Sequence, residues 1–90
     1  MELYNLLKPE AVKVISTVSS KKRLFHDIAD LAEGTLGLDS QTTMTALLDR
    51  ENLGPTGVGH GVALPHARLA DVESVQGVFL LLEKPVDFNA

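Results

Sequence analysis

The residue best suited to chemistry is His66, near the end of the run Gly57-Val58-Gly59-His60-Gly61-Val62-Ala63-Leu64-Pro65-His66-Ala67-Arg68. An imidazole titrates near neutrality, so an unprotonated ring nitrogen can accept a phosphoryl group and return it without a stronger base beside it. Glycines at 54, 57, 59 and 61 permit backbone conformations that other residues avoid. Successive N–H groups in such a loop form a concave nest for an anion, which makes Gly57 a phosphate-binding candidate. Pro65 fixes its own φ and drives Leu64 towards an extended shape, so His66 is expected at a strand end rather than on a mobile tip. Arg50 and Arg68 offer positive charge to an arriving phosphoryl group, and Thr56 adds a hydroxyl. Arg50 is the better placed of the two arginines, because a helix end is rigid.

The other histidines have plainer readings. His60 lies between two glycines, where it is either an exposed loop residue or an assistant to His66. His26 falls on the polar side of a helix with Lys22, Arg23 and Asp30 and reads as a solvated surface residue. Two familiar glycine-rich loops are excluded on detail. Gly54 to Gly59 has the spacing of an ATP-binding loop, but His60-Gly61 stands where Lys-Ser/Thr is required, and no helix follows at once. Gly57-x-Gly59-x-Gly61 lacks the third glycine position of the dinucleotide fingerprint and follows a helix instead of a strand. A metal site on His60 and His66 would need a third ligand that the sequence does not place.

The elements around this loop read as α/β. Val12 to Val18 is rich in β-branched residues and predicts a first strand after a turn at Lys8-Pro9-Glu10. Ser19 or Ser20 can cap a helix whose apolar positions Leu24, Phe25, Ile28, Leu31, Ala32 and Leu36 recur at helical spacing, with Gly37 as its stop. Asp39 or Ser40 can cap a second helix, carrying Met44, Leu47 and Leu48, that ends near Asn52-Leu53-Gly54-Pro55. Arg50 and Glu51 fall in its last turn. Val62-Ala63-Leu64 predicts a short buried strand stopped by Pro65. Val75 to Glu83 has the continuous apolar character of a strand covered on both faces. The expected fold is α/β, a sheet of about three short strands covered by two helices. Its open edge invites pairing with another copy.

Size and charge narrow the function further. Ninety residues suit one small domain. Eight basic against twelve acidic side chains give a net charge of −4, which disfavours a nucleic acid partner and a polybasic membrane contact. The chain has no cysteine and hence no disulfide or thiolate ligand. Met1-Glu2-Leu3-Tyr4-Asn5 lacks the start of a secretory signal, and the longest nearly apolar run, Val75 to Leu82, is far short of the roughly 20 residues of a membrane helix. A cytoplasmic protein with no membrane insertion is expected.

The stretch Arg50-Glu51-Asn52-Leu53-Gly54-Pro55-Thr56-Gly57-Val58-Gly59-His60-Gly61-Val62-Ala63-Leu64-Pro65-His66-Ala67-Arg68 closely resembles the active-site signature of bacterial phosphotransferase system enzyme IIA domains, in the fructose/mannitol/nitrogen-regulatory superfamily. The opening Leu3-Tyr4-Asn5-Leu6-Leu7 with Pro9-Glu10, the Ser20-Lys21-Lys22-Arg23 helix entry and Leu82-Glu83-Lys84-Pro85-Val86-Asp87-Phe88 are similar to the nitrogen-regulatory branch. By this resemblance His66 is the phosphorylated histidine, charged by a histidine-containing phosphocarrier protein in a phosphoenolpyruvate-dependent relay, and Arg50 helps to hold the phosphoryl group. The resemblance also implies that the sheet is mixed and flanked by helices. Regulatory target proteins are the implied partners. No metal or organic cofactor is implied. Residues 1–90 would form the N-terminal part of a single domain, since family domains continue further and carry a second active-site histidine. Pro55 stands where the family usually has serine, and His60 where it commonly has asparagine or glycine. A docking module without catalysis and a sugar-transport enzyme IIA component are the alternative functions.

Overall fold

The computed structural model describes residues 9–70, 72 and 75–88. Pro9–Ala11 forms a single 3-10 turn that delivers the chain into β1, Val12–Ile15. Helix α1, Lys21–Leu36, begins where the Ser20 hydroxyl accepts the Arg23 N–H and ends where Gly37, at φ 73°, turns left-handed and donates its own N–H to the Ala32 and Glu33 carbonyls. Helix α2, Ser40–Glu51, is capped by Asp39, whose carboxylate accepts both the N–H and the hydroxyl of Thr42. Those two bonds, backbone first, hold the Asp39 carboxyl below its ordinary range. Both expected helices are therefore present, with the caps that their sequences signal.

The core lies between the two helices. Leu24, Phe25, Ala29 and Ala32 of α1 meet Leu47 of α2 and Ala11 of the opening turn, and Phe25 is fully buried. Phe88 packs its ring against Phe25, with centroids 5.7 Å apart and planes tilted by 49°, which ties the end of the described chain to the core.

The strands depart from expectation. Among the described residues four strands form two separate pairs: β1 runs parallel to β4, Phe79–Leu82, and β2, Gly57–Gly59, runs antiparallel to β3, Val62–Ala63. The parallel and antiparallel pairs make the fold mixed α/β, but not as a single sheet of three strands. β1 stops at Ile15, short of Val18, and β4 takes up only the end of the Val75–Glu83 run. Nor is β4 covered on both faces. Phe79 and Leu81 are about half exposed, as are their register partners Val12 and Val14. A continuous apolar run shows that a strand wants cover, whereas the cover itself depends on which elements are present to give it. Val62 and Leu64 are exposed as well, because β3 belongs to a two-stranded hairpin and not to a sheet interior. The expected opening segment Leu3–Leu7, Lys8 of the first turn and the final Asn89-Ala90 lie outside the described residues. Among the described residues no helix is long and apolar enough to cross a membrane.

Candidate functional site

The glycine-rich stretch is a β-hairpin. His60 and Gly61 form its two-residue loop, with φ of 55° and 75°, between the paired residues Gly59 and Val62. Positive φ at both loop residues defines the turn type whose twist matches a hairpin. A bulge falls between Gly57 and Gly59, and Gly59 itself has φ 87°. The left-handed backbone of residues 59–61 is thus used to reverse the chain, where the sequence reading expects an anion nest. Turns of this type favour asparagine and glycine at the position His60 holds.

The base of the hairpin is tied where its tip is free. The Leu64 N–H donates to the Thr56 carbonyl at 3.0 Å. Thr56 is buried, and its N–H and hydroxyl both donate to the Glu51 carboxylate, at 3.0 and 2.5 Å. Both hydrogen-bond donors of Thr56 are thus engaged by Glu51 in this structure. Lys21, in the first turn of α1, pairs with the same carboxylate at 2.6 Å, donates to the Phe88 carbonyl at 2.8 Å, and sits 4.6 Å from the Phe88 ring centre. Burial penalises the Glu51 anion most, yet the bonds from Lys21 and Thr56 outweigh it and hold the carboxyl below its ordinary range.

His66 projects just beyond this base. Its Nδ1 lies 3.0 Å from the Leu64 carbonyl oxygen, and its Nε2 lies 3.2 Å from Arg50 Nε. A carbonyl only accepts and a guanidinium only donates, so together they select one neutral tautomer: Nδ1–H donates to Leu64, while the Nε2 lone pair faces Arg50. Arg50 is held in turn by a bond from Nη1 to the Gly54 carbonyl at 3.0 Å. Ala46, Asp49, Arg50, His66, Ala67 and Arg68 line an open depression here. The guanidinium of Arg50 and the exposed Arg68 bring positive charge to its wall.

Of the expected site residues, the structure brings together His66, Arg50 and Arg68. Gly57 pairs with Ala63 in the hairpin and His60 occupies its tip, and neither lines the depression. Sequence reasoning missed Glu51 and Lys21. One signal was available: an acidic residue in the last turn of a helix opposes the helix dipole, so Glu51 needs a cation from elsewhere. His26, Asp27 and Asp30 gather on the surface of α1, with His26 Nδ1 3.3 Å from an Asp30 oxygen.

An arginine in the last turn of a helix, facing a histidine just beyond a hairpin in a mixed α/β fold, agrees with the resemblance to enzyme IIA domains. The chain belongs to the family described as phosphoenolpyruvate-dependent sugar phosphotransferase system, EIIA 2, whose model matches residues 5–90. It is 42% identical to a nitrogen regulatory protein of Klebsiella oxytoca and 38% identical to one of Bradyrhizobium diazoefficiens, matching along its whole length in both cases. The chain spans 56% and 59% of those two relatives. The crystal structure of nitrogen regulatory protein IIA-Ntr from Neisseria meningitidis superposes with a TM-score of 0.87 at 38% identity, covering 96% of this chain and 59% of that one.

Proposed function

We propose that His66 accepts a phosphoryl group through Nε2 from the phosphohistidine of a carrier protein and passes it on or holds it as a signal. The observation that carries this reading is the double restraint on the ring, which leaves Nε2 unprotonated and beside a fixed cation. In the transfer step the Nε2 lone pair attacks phosphorus. The new N–P bond forms as the carrier's P–N bond breaks, and that electron pair returns to the carrier's imidazole. Arg50 yields its bond to Nε2 as phosphorus arrives, and its guanidinium then stabilises the phosphoryl oxygens. Transfer between two imidazoles needs alignment and charge neutralisation more than it needs a general acid or base. Arg68, across the same depression, adds charge for the oxygens or for a docking partner.

The output is regulatory in this reading, because the similar proteins are named as nitrogen regulators. The phosphocarrier and regulatory target proteins are its partners, and the cytoplasm its setting. The test is incubation with phosphoenolpyruvate, enzyme I and the carrier, followed by intact mass and acid-lability measurements on the wild type and His66→Ala. One acid-labile phosphoryl group on the wild type and none on the variant is the expected result. A wild type that stays unmodified while a full-length relative is charged would overturn the reading for this chain and favour docking alone.

A further inference from the structure

We propose that Glu51 is a positioning residue for phosphoryl transfer: its carboxylate, anchored by Lys21, fixes Thr56, whose carbonyl fixes Leu64, whose carbonyl in turn holds the His66 ring with Nε2 turned to Arg50. The proposal rests on His66 being the phosphoryl acceptor, and it adds a residue that touches neither the ring nor the phosphoryl group.

The relay is continuous in hydrogen bonds. Glu51 receives Thr56 through both carboxylate oxygens, Thr56 receives the Leu64 N–H at 3.0 Å, and Leu64 receives His66 Nδ1 at 3.0 Å. Glu51 and Arg50 are consecutive in the last turn of α2, so their side chains leave the helix about 100° apart. One supports the ring from behind through the hairpin, and the other meets its reactive nitrogen in front. A single rigid helix end therefore sets both sides of the imidazole.

The relay also decides the tautomer. If the Leu64 carbonyl shifts, only the bond from Arg50 still favours the proton on Nδ1, and the alternative Nε2–H form has no lone pair on Nε2 for phosphorus. The hairpin cannot hold Leu64 in place unaided, because a two-stranded ribbon with four residues of pairing is weak by itself. Its attachment to the helices runs through Thr56 and Glu51. The carboxylate is itself secured by burial against Lys21, whose contacts with the Phe88 carbonyl and ring bring the last described segment into the same support.

The test uses Thr56→Val, which removes the hydroxyl but keeps the shape and the N–H, together with Thr56→Ser and Glu51→Gln. Far-ultraviolet circular dichroism and amide dispersion first establish that each variant is folded. The His66 tautomer is then read from ring nitrogen shifts in the unphosphorylated protein, and the rate of acceptance from the charged carrier is measured separately. The Nδ1–H form is expected in the wild type and in Thr56→Ser. A mixture of tautomers and acceptance slowed roughly 10- to 100-fold are expected in Thr56→Val and Glu51→Gln. Folded Thr56→Val and Glu51→Gln proteins that retain both the wild-type tautomer and the wild-type rate would overturn the proposal. Should the wild type accept no phosphoryl group, the function above fails, while the tautomer measurement still decides whether Glu51 positions the ring.

Discussion

The corner between the helices and the hairpin is held in a different way from the β1–β4 pair. At the corner, polar groups from distant parts of the chain close on one another: Lys21 on Glu51, Thr56 on Glu51, Arg50 on Gly54 and His66. In the parallel pair the backbone ladder is complete, yet Val12, Val14, Phe79 and Leu81 leave one face about half exposed. The geometry of the histidine is thus set by a few directional bonds at helix ends and not by packing in a sheet. Activity and stability should respond differently when either region is altered.

The sharpest break is His66→Ala, which removes the proposed nucleophile. Phosphoryl acceptance from the charged carrier should vanish, while the melting temperature changes little, because the ring is exposed and its two bonds lie at the surface. A melting temperature lowered by more than a few degrees would mean that the imidazole is part of the fold's support and not merely supported by it.

Next in size is Lys21→Met, which leaves the buried Glu51 carboxylate without its cation. Removing one partner of a buried ion pair costs about 3 kcal/mol, more than any change on the exposed sheet face should. Denaturant unfolding reads it directly. Acid tests the same anchor. Glu51 has its folded pKa held below its unfolded value, so its contribution is fully present above the ordinary carboxylate range and is lost as pH falls through the depressed folded value. Asp39 acts in the same direction from the cap of α2. Stability should therefore be flat from neutral pH down to roughly pH 5 and decline steeply below about pH 4, with a shallower decline in Glu51→Gln.

How much of this was legible in the sequence follows the same division. The helices were readable because their determinants are local: Ser20 and Asp39 cap within three residues, and Gly37 stops α1 through its own backbone. His66 and Arg50 stand out in the sequence because an imidazole and a guanidinium are marked by residue type, and the structure places them 3.2 Å apart. The hairpin was not, since four glycines signal conformational freedom without saying whether it is used to bind or to turn. The support of the site was least visible of all. Lys21 and Glu51 are thirty positions apart, and only the packing of α1 against α2 makes them neighbours. The sheet was over-read for a related reason, because apolar runs specify a need for burial and leave the partner strand unspecified.

The hairpin tip offers a smaller test. His60 is the one non-glycine residue with positive φ among the described residues. Replacing it with glycine should relieve left-handed strain and stabilise the chain by up to about 1 kcal/mol, without slowing phosphoryl acceptance. Gly59→Ala should act in the opposite sense on stability, since open space surrounds the position and only its φ of 87° resists a side chain. A His60→Gly protein that lost activity would restore His60 to the site and erase the distinction between a free tip and a tied base.

The smallest effect is expected on the open face of the β1–β4 pair. Leu81→Thr introduces a β-branched residue that favours an extended backbone and exchanges a half-exposed apolar side chain for one that water tolerates. The parallel register with Val14 depends on backbone bonds that the substitution does not touch. Since little apolar area is removed from burial, the expected change in unfolding free energy is within about 0.5 kcal/mol, with acceptance by His66 unaltered. A loss of several times that size would show that this face is covered in solution. The open edge of the sheet would then be the first place to look for a second copy, with sedimentation of the wild type and Leu81→Thr over a range of concentrations as the deciding measurement. The contrast between a corner held by directional bonds and a sheet left half open stands only if the two proteins sediment alike.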